Sequence, residues 1–155
     1  MATVNTVVVG GGQAGVSVSH YLKQLSVDHV VLEQADKPGE AWRNHRWDSF
    51  ALNTPRWQSR LPGVRYGEDD PDGFMPRREV VAHLDEMAQR LPVRTRARVV
   101  SVVRDAATGD YVVSIDGGEK IRARNVVVVK GASRTLSAIR LRAGGLSGKP
   151  NAMSS

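Results

Sequence analysis

The sequence has no cysteine, no acidic residue after Glu119, few aromatics (three Trp, three Tyr and two Phe) and no long apolar run. The first absence rules out disulfides, thiolate nucleophiles and sulfur-ligated metals. The last rules out a span of the about 18 consecutive apolar residues that a bilayer-crossing helix needs. Met1-Ala2-Thr3 leads straight into a strand pattern with no basic n-region, so no signal peptide is expected. The expectation is a cytoplasmic protein with no membrane partner. What is present is ordinary: 155 residues, 41% hydrophobic and 25% charged, the length and composition of one folded domain with a real core.

The formal net charge of +6 invites a nucleic-acid reading, and its distribution argues against one. Residues 1–119 carry 14 Lys or Arg against all 16 acids, whereas residues 120–155 carry 8 Lys or Arg and no acid. A nucleic-acid-binding domain carries its basic residues on a folded face with interleaved aromatics. Here the excess belongs to a terminal segment, so no nucleic-acid partner is expected.

The first forty residues are the informative ones. Val4–Val9 is a β-branched run of the kind a buried parallel strand shows. It runs into Gly10-Gly11-Gly12-Gln13-Ala14-Gly15, which fits G-x-G-x-x-G at Gly10, Gly12 and Gly15. Val16, Val18, Tyr21, Leu22 and Leu25 then recur at helical spacing, and a second apolar strand, His29–Leu32, ends on Glu33. Gly10 allows the tight turn, Gly12 lets the backbone approach a pyrophosphate, and Gly15 lets the helix pack closely on the strand. The helix N-terminus offers free N–H groups and the positive end of its dipole to phosphates. Glu33, 18 positions after Gly15, stands where a strand-end carboxylate accepts hydrogen bonds from ribose hydroxyls. An acid there disfavours a ribose 2′-phosphate, which leaves NAD(H) or FAD at this site.

Beyond Glu33, the stretch Gln34-Ala35-Asp36-Lys37-Pro38-Gly39-Glu40-Ala41-Trp42-Arg43 resembles the segment after strand two in flavin-containing and Baeyer–Villiger-type monooxygenases, flavoproteins with two dinucleotide-binding domains. The similarity continues through Arg43–Ser49 and Leu52-Asn53-Thr54-Pro55 and extends over residues 3–131. The resemblance implies FAD as cofactor, NADPH as the family's reductant, and oxygenation of a small organic substrate. It implies cofactor contacts from Gly10, Gly12, Gln13, Ala14, Gly15, Glu33, Gln34, Trp42, Arg43, Val99 and Gly131. Trp42 and Arg43 would lie on the flavin side, and the backbone near Val99 would approach the adenine. Asn53 matches the Asn of an N-x-P element beside the reacting edge of the isoalloxazine and is the catalytic candidate. Each has a plainer reading: Trp42, Trp47 and Trp57 as packing residues, Val99 as strand core, and Asn53 as a turn residue bonding local backbone. His20, His29, His45 and His83 show no metal-ligand spacing and read as structural or surface residues, so no metal is expected.

The rest of the chain reads as one architecture. Arg77–Arg90 predicts an amphipathic helix with Pro76 near its start and Val80, Val81, Leu84, Met87 and Ala88 on its apolar face. Val93–Arg104, Tyr111–Ile115 and Lys120–Lys130 predict three strands of an antiparallel meander joined by turns at Thr108-Gly109 and Asp116-Gly117-Gly118. The fold expected is α/β: a Rossmann-like FAD-binding domain, a parallel sheet with a βαβ start, and that meander. Residues 1–131 would form a partial FAD-binding domain and residues 132–155 an irregular basic tail, with the NAD(P)H-binding domain absent. Val129-Lys130-Gly131 stands where the family has Ala-Thr-Gly, and no second G-x-G-x-x-G follows. The expectation is therefore a truncated form, inactive by itself, whose exposed apolar surface favours self-association. The alternatives are a flavoprotein reductase of the disulfide-reductase type and a non-enzymatic remnant. The first is opposed by the lack of any Cys-x-x-Cys.

Overall fold

The computed structural model describes residues 1–44, 46–47, 49–63 and 70–129, together with the backbone of 140–142. A seven-stranded sheet runs in the order β5 (Val93–Arg94), β2 (His29–Leu32), β1 (Ala2–Val9), β8 (Lys120–Val128), β7 (Tyr111–Ile115), β6 (Val99–Arg104), β9 (Arg140–Arg142). Its parallel half is built from β1 (Ala2–Val9), β2 (His29–Leu32), β5 (Val93–Arg94) and β8 (Lys120–Val128). β1 lies between β2 and β8, pairing Thr6–Val9 with His29–Leu32 on one side and Ala2–Val9 with Ile121–Val128 on the other. Two helices, α1 (Gln13–Gln24) and α3 (Arg77–Gln89), connect the sheet strands, with the short helix α2 (Glu40–Asn44) between them. A separate two-stranded sheet pairs β3 (Ala51–Pro55) with β4 (Phe74–Pro76).

Period-two alternation divides the core between two faces. On one face Val7 and Val9 of β1 meet Leu32, Val99, Val102, Val113, Ile115, Ile121 and Ala123 in a continuous apolar cluster. Val8 points the other way, with its Cγ1 3.7 Å from where a Gly15 Cβ would stand on α1. On that side Val16 of α1 joins Val80, Leu84 and Met87 of α3, with Leu61 and Met75, in the second cluster.

The antiparallel meander is present, formed by β6 (Val99–Arg104), β7 (Tyr111–Ile115) and β8. It is continuous with the parallel sheet, because β8 pairs with β7 through Lys120–Ala123 and with β1 along nearly its whole length. The strand expected over Val93–Arg104 is two strands. After Arg94 the chain leaves the parallel sheet: Arg96 takes a left-handed φ of 55°, its N–H donates to the Ala35 carbonyl at 3.0 Å, and the Ala97 N–H donates to the Glu33 carbonyl at 2.8 Å. The expected strand to Lys130 ends at Val128, and Lys130 itself lies outside the described residues. Within the tail expected to be irregular, Arg140–Arg142 form β9, parallel to Ser101–Val103. Tyr21 of α1 and Leu25, its C-cap, share the helical apolar spacing but are 55% and 73% exposed, and the buried residues of α1 are Gly15, Val16 and Ser19.

Candidate dinucleotide-binding site

The site is the turn from β1 into α1, and its shape follows from three glycines used in three ways. Gly10 has φ +108°, a conformation that L side chains rarely adopt. A Cβ there would stand 2.5 Å from the Val129 carbonyl oxygen, which the end of β8 brings alongside by the Val129 N–H to Val9 O bond of 2.9 Å. Gly15 sits in the first turn of α1, where a Cβ would lie 1.9 Å from the Gly10 carbonyl oxygen. Gly12 differs: it is the N-cap of α1, with ordinary extended φ and ψ of −76° and −175°, and a Cβ there would meet nothing within 4 Å. Two glycines are therefore required by protein packing, while the third faces open space. Gln13 and Ala14 are exposed beside it, and neither a side-chain cap nor an acidic residue occupies the first turn of α1. The helix end is left free to receive an anion.

Glu33 reaches this turn from the end of β2. It is 8% exposed, and its Oε2 accepts the Gly11 N–H at 2.7 Å while Oε1 accepts the Ala35 N–H at 2.8 Å. Each carboxylate oxygen keeps a further acceptor position, so the ribose role is compatible with these bonds. Gly39, at φ +74°, donates its N–H to the Gly11 carbonyl at 3.0 Å and ties the segment before α2 to the same turn.

The other candidate residues separate into groups. Gln34 is exposed next to Glu33. Val99 opens β6 in the first core cluster, opposite Ile115. Trp42 packs against the second core cluster and tilts toward Phe50 at a centroid separation of 5.8 Å, with the Arg46 guanidinium 5.4 Å from its ring. Arg43 donates from Nε to the Pro38 carbonyl at 3.0 Å and forms an ion pair with Asp85 of α3. Asn53 is exposed on β3, an extended strand where its plainer reading expected a turn. Gly131 lies outside the described residues. The structure thus brings Gly10, Gly12, Gln13, Ala14, Gly15 and Glu33 to one turn. Gly11 and Gly39, not among the candidates, belong to it as well. The Gly10-Gly11-Gly12 run was the available signal for the first, but the second shows only through its backbone bond. His29 is structural: Nδ1 bonds the Val27 carbonyl and Nε2 shares a hydrogen bond of 2.7 Å with buried Ser19 Oγ. Among the described residues no helix is long and apolar enough to cross a membrane.

Fold and turn together define a Rossmann-like dinucleotide-binding domain of the flavoprotein kind. The chain belongs to the family described as lycopene cyclase protein, whose model matches residues 5–146, and its relatives are flavin-containing and Baeyer–Villiger-type monooxygenases. One fold hosts many chemistries, so the match shows the family and not a reaction. The oxidoreductase CzcO of Bacillus subtilis is 33% identical over 133 residues, 84% of this chain and 37% of that protein. Indole-3-pyruvate monooxygenase YUCCA1 of Oryza sativa is 33% identical over 127 residues, 81% of this chain and 31% of that protein. A flavin-containing monooxygenase from Stenotrophomonas maltophilia superposes with a TM-score of 0.73 at 32% identity, over 83% of this chain and 38% of that one. A steroid monooxygenase bound to NADP (TM-score 0.74, 23% identical) and a bacillithiol disulfide reductase from Staphylococcus aureus (0.71, 16%) share the fold alone. The chain thus spans little more than a third of the length of the first of these relatives.

Proposed function

We propose that the chain forms the ADP-cradling part of an FAD site in a flavin-dependent oxidoreductase of the monooxygenase type. Its reductant would be NADPH and its substrate a small organic molecule. The observation that carries this reading is the asymmetry of the turn. Gly10 and Gly15 are closed by backbone contacts, and Gly12 alone opens outward at an uncapped helix N-terminus with a buried carboxylate beside it.

The residues present fit the group. The open face of Gly12 and the first-turn amides of Gln13 and Ala14 would hold the pyrophosphate. Glu33 would accept the ribose hydroxyls with its remaining lone pairs, and Gln34 and the Val99 backbone would border the adenosine. Trp42 and Asn53 would stand toward the flavin. Arg43 would act there through its carbonyl, which already accepts from Arg77 at 2.6 Å, since its guanidinium is engaged with Asp85. Bound there, FAD would supply hydride and oxygen chemistry that no side chain provides.

The test is reconstitution. The purified chain is mixed with FAD, freed of unbound ligand and read for flavin absorbance, with a thermal melt in parallel and NAD as control. FAD at about 100 times its dissociation constant should add roughly 2.7 kcal/mol of stability. A retained flavin band with a raised melting temperature is the expected result. Stabilisation by NAD with no retained flavin overturns the assignment.

A further inference from the structure

Glu33 does more in this fold than present a carboxylate at the end of a strand. Its backbone N–H donates to the Arg94 carbonyl at 2.9 Å, and its carbonyl accepts from Ala97 at 2.8 Å, so the end of β5 and the segment after it hold its backbone. Its buried side chain then spans two loops, taking the Gly11 N–H on one oxygen and the Ala35 N–H on the other. The contact is close enough to dictate sequence at a variable position of the fingerprint. A Cβ at Gly11 would lie 2.9 Å from the Glu33 Cβ and 3.0 Å from Oε2. Both bonds are made in a place largely closed to water, where hydrogen bonds are strong.

We infer that Glu33 is the positioning residue of the phosphate-binding turn. Its carboxylate clasps the Gly11 amide and presets the turn before a ligand arrives, and Gly11 is as necessary to the site as the three motif glycines. This goes beyond a ribose contact and rests on the proposed cofactor site only for its ligand-binding arm. Because Gly11 is adjacent to both Gly10 and Gly12, holding its N–H fixes the direction in which the open face of Gly12 points. The clasp therefore acts on phosphate binding, a part of the ligand that Glu33 does not touch.

The test has two arms, both using E33Q, which keeps the side-chain shape and loses one acceptor. In the ligand-free chain, hydrogen exchange should find the Gly11 amide protected in the wild type and released in E33Q, while the β1 and β8 amides stay protected in both. In the second arm, inorganic pyrophosphate, which has no ribose, is compared with ADP. The clasp predicts that E33Q weakens both, pyrophosphate by roughly tenfold for one lost charge-assisted bond. Unchanged exchange at Gly11 overturns the inference, and so does a loss for ADP alone with pyrophosphate binding intact. Should E33Q lose protection throughout β1 and β8, E33D replaces it, keeping the charge one methylene short of Gly11. Continued protection of Gly11 in E33D overturns the clasp. The exchange arm involves no cofactor, so its failure is distinct from a failure of the wild type to bind FAD.

Discussion

The two substitutions Gly15→Ala and Gly12→Ala separate what the turn does for folding from what it does for a ligand. At Gly15 a methyl group would stand 1.9 Å from the Gly10 carbonyl oxygen, where ordinary contact begins at 3.4 Å. The obstacle is backbone on both sides, so α1 must retreat from β1 by about 1.5 Å, the difference of these two distances. Overpacking of this kind costs about 1–3 kcal/mol. At roughly 2–4 °C per kcal/mol for a chain of this size, the ligand-free melting temperature should fall by several degrees. At Gly12 the methyl meets nothing within 4 Å and the backbone is already in a conformation open to any residue. The poorer N-cap propensity of Ala costs at most about 1 kcal/mol. The same methyl would, however, enter the space assigned to the pyrophosphate. G12A should therefore fold nearly as well as the wild type and lose the stabilisation by FAD, whereas G15A should be destabilised before any ligand is added. The assay is a thermal melt of each variant with and without FAD. A G12A protein that keeps the full FAD shift would refute the reasoning, as would a G15A protein that melts with the wild type.

Other consequences follow from the packing and the charges. Ser19→Ala leaves the buried His29 Nε2 without its 2.7 Å partner and should cost about 1–3 kcal/mol, read as a lower denaturation midpoint with an unchanged slope. Leu84→Ala removes a fully buried side chain of the second core cluster and should cost about 2–5 kcal/mol in the same measurement. Gly39→Ala meets both a φ of +74° and the Leu84 Cδ1 at 2.8 Å, so it should destabilise the fold and loosen the Gly11 carbonyl contact, visible as faster exchange of the Gly39 amide. Asp105 titrates below its ordinary 3.8, chiefly through the hydrogen bond from Arg122, and Glu119 below its ordinary 4.5 through the bond from Arg94. A depressed carboxylate stabilises the fold above its unfolded pKa, and that stabilisation is lost as pH falls through the folded value. Carboxyl titration by NMR should show both values rising toward ordinary in R122M and R94M respectively, and no rise would contradict the pairings.

The sequence was most readable where one residue type has one mechanical use. The glycines of the first turn, the β-branched run before them and the apolar stripe of α3 each point to a single local structure. The structure has them with boundaries displaced by a residue or two: α3 ends at Gln89 rather than Arg90, and β1 begins at Ala2 rather than Val4. Legibility failed where tertiary bonding decides. Thr95-Arg96-Ala97-Arg98 contains neither Gly nor Pro, yet the chain turns there because Arg96 and Ala97 bond back to Ala35 and Glu33 across 60 or more positions. Tyr21 and Leu25 obey the helical period and still face solvent, since no described element covers that side of α1. Arg43 could be read by resemblance as a flavin-side residue, but only the placement of α3 reveals Asp85 as its partner. Gly11 stood inside the legible glycine run, but the cause of its own need for glycine did not show there. Its requirement for glycine comes from a side chain 22 positions away, and no local pattern records that distance.

The most direct test is flavin fluorescence titration with FAD and, separately, with FMN, because the two ligands share the isoalloxazine and differ by the AMP portion that the turn is proposed to hold. Saturable binding of FAD, displaced by ADP, is the expected result, with little or no binding of FMN. Equal binding of both flavins, or FAD binding that ADP does not displace, would mean that the glycine turn and Glu33 are not what holds the ligand.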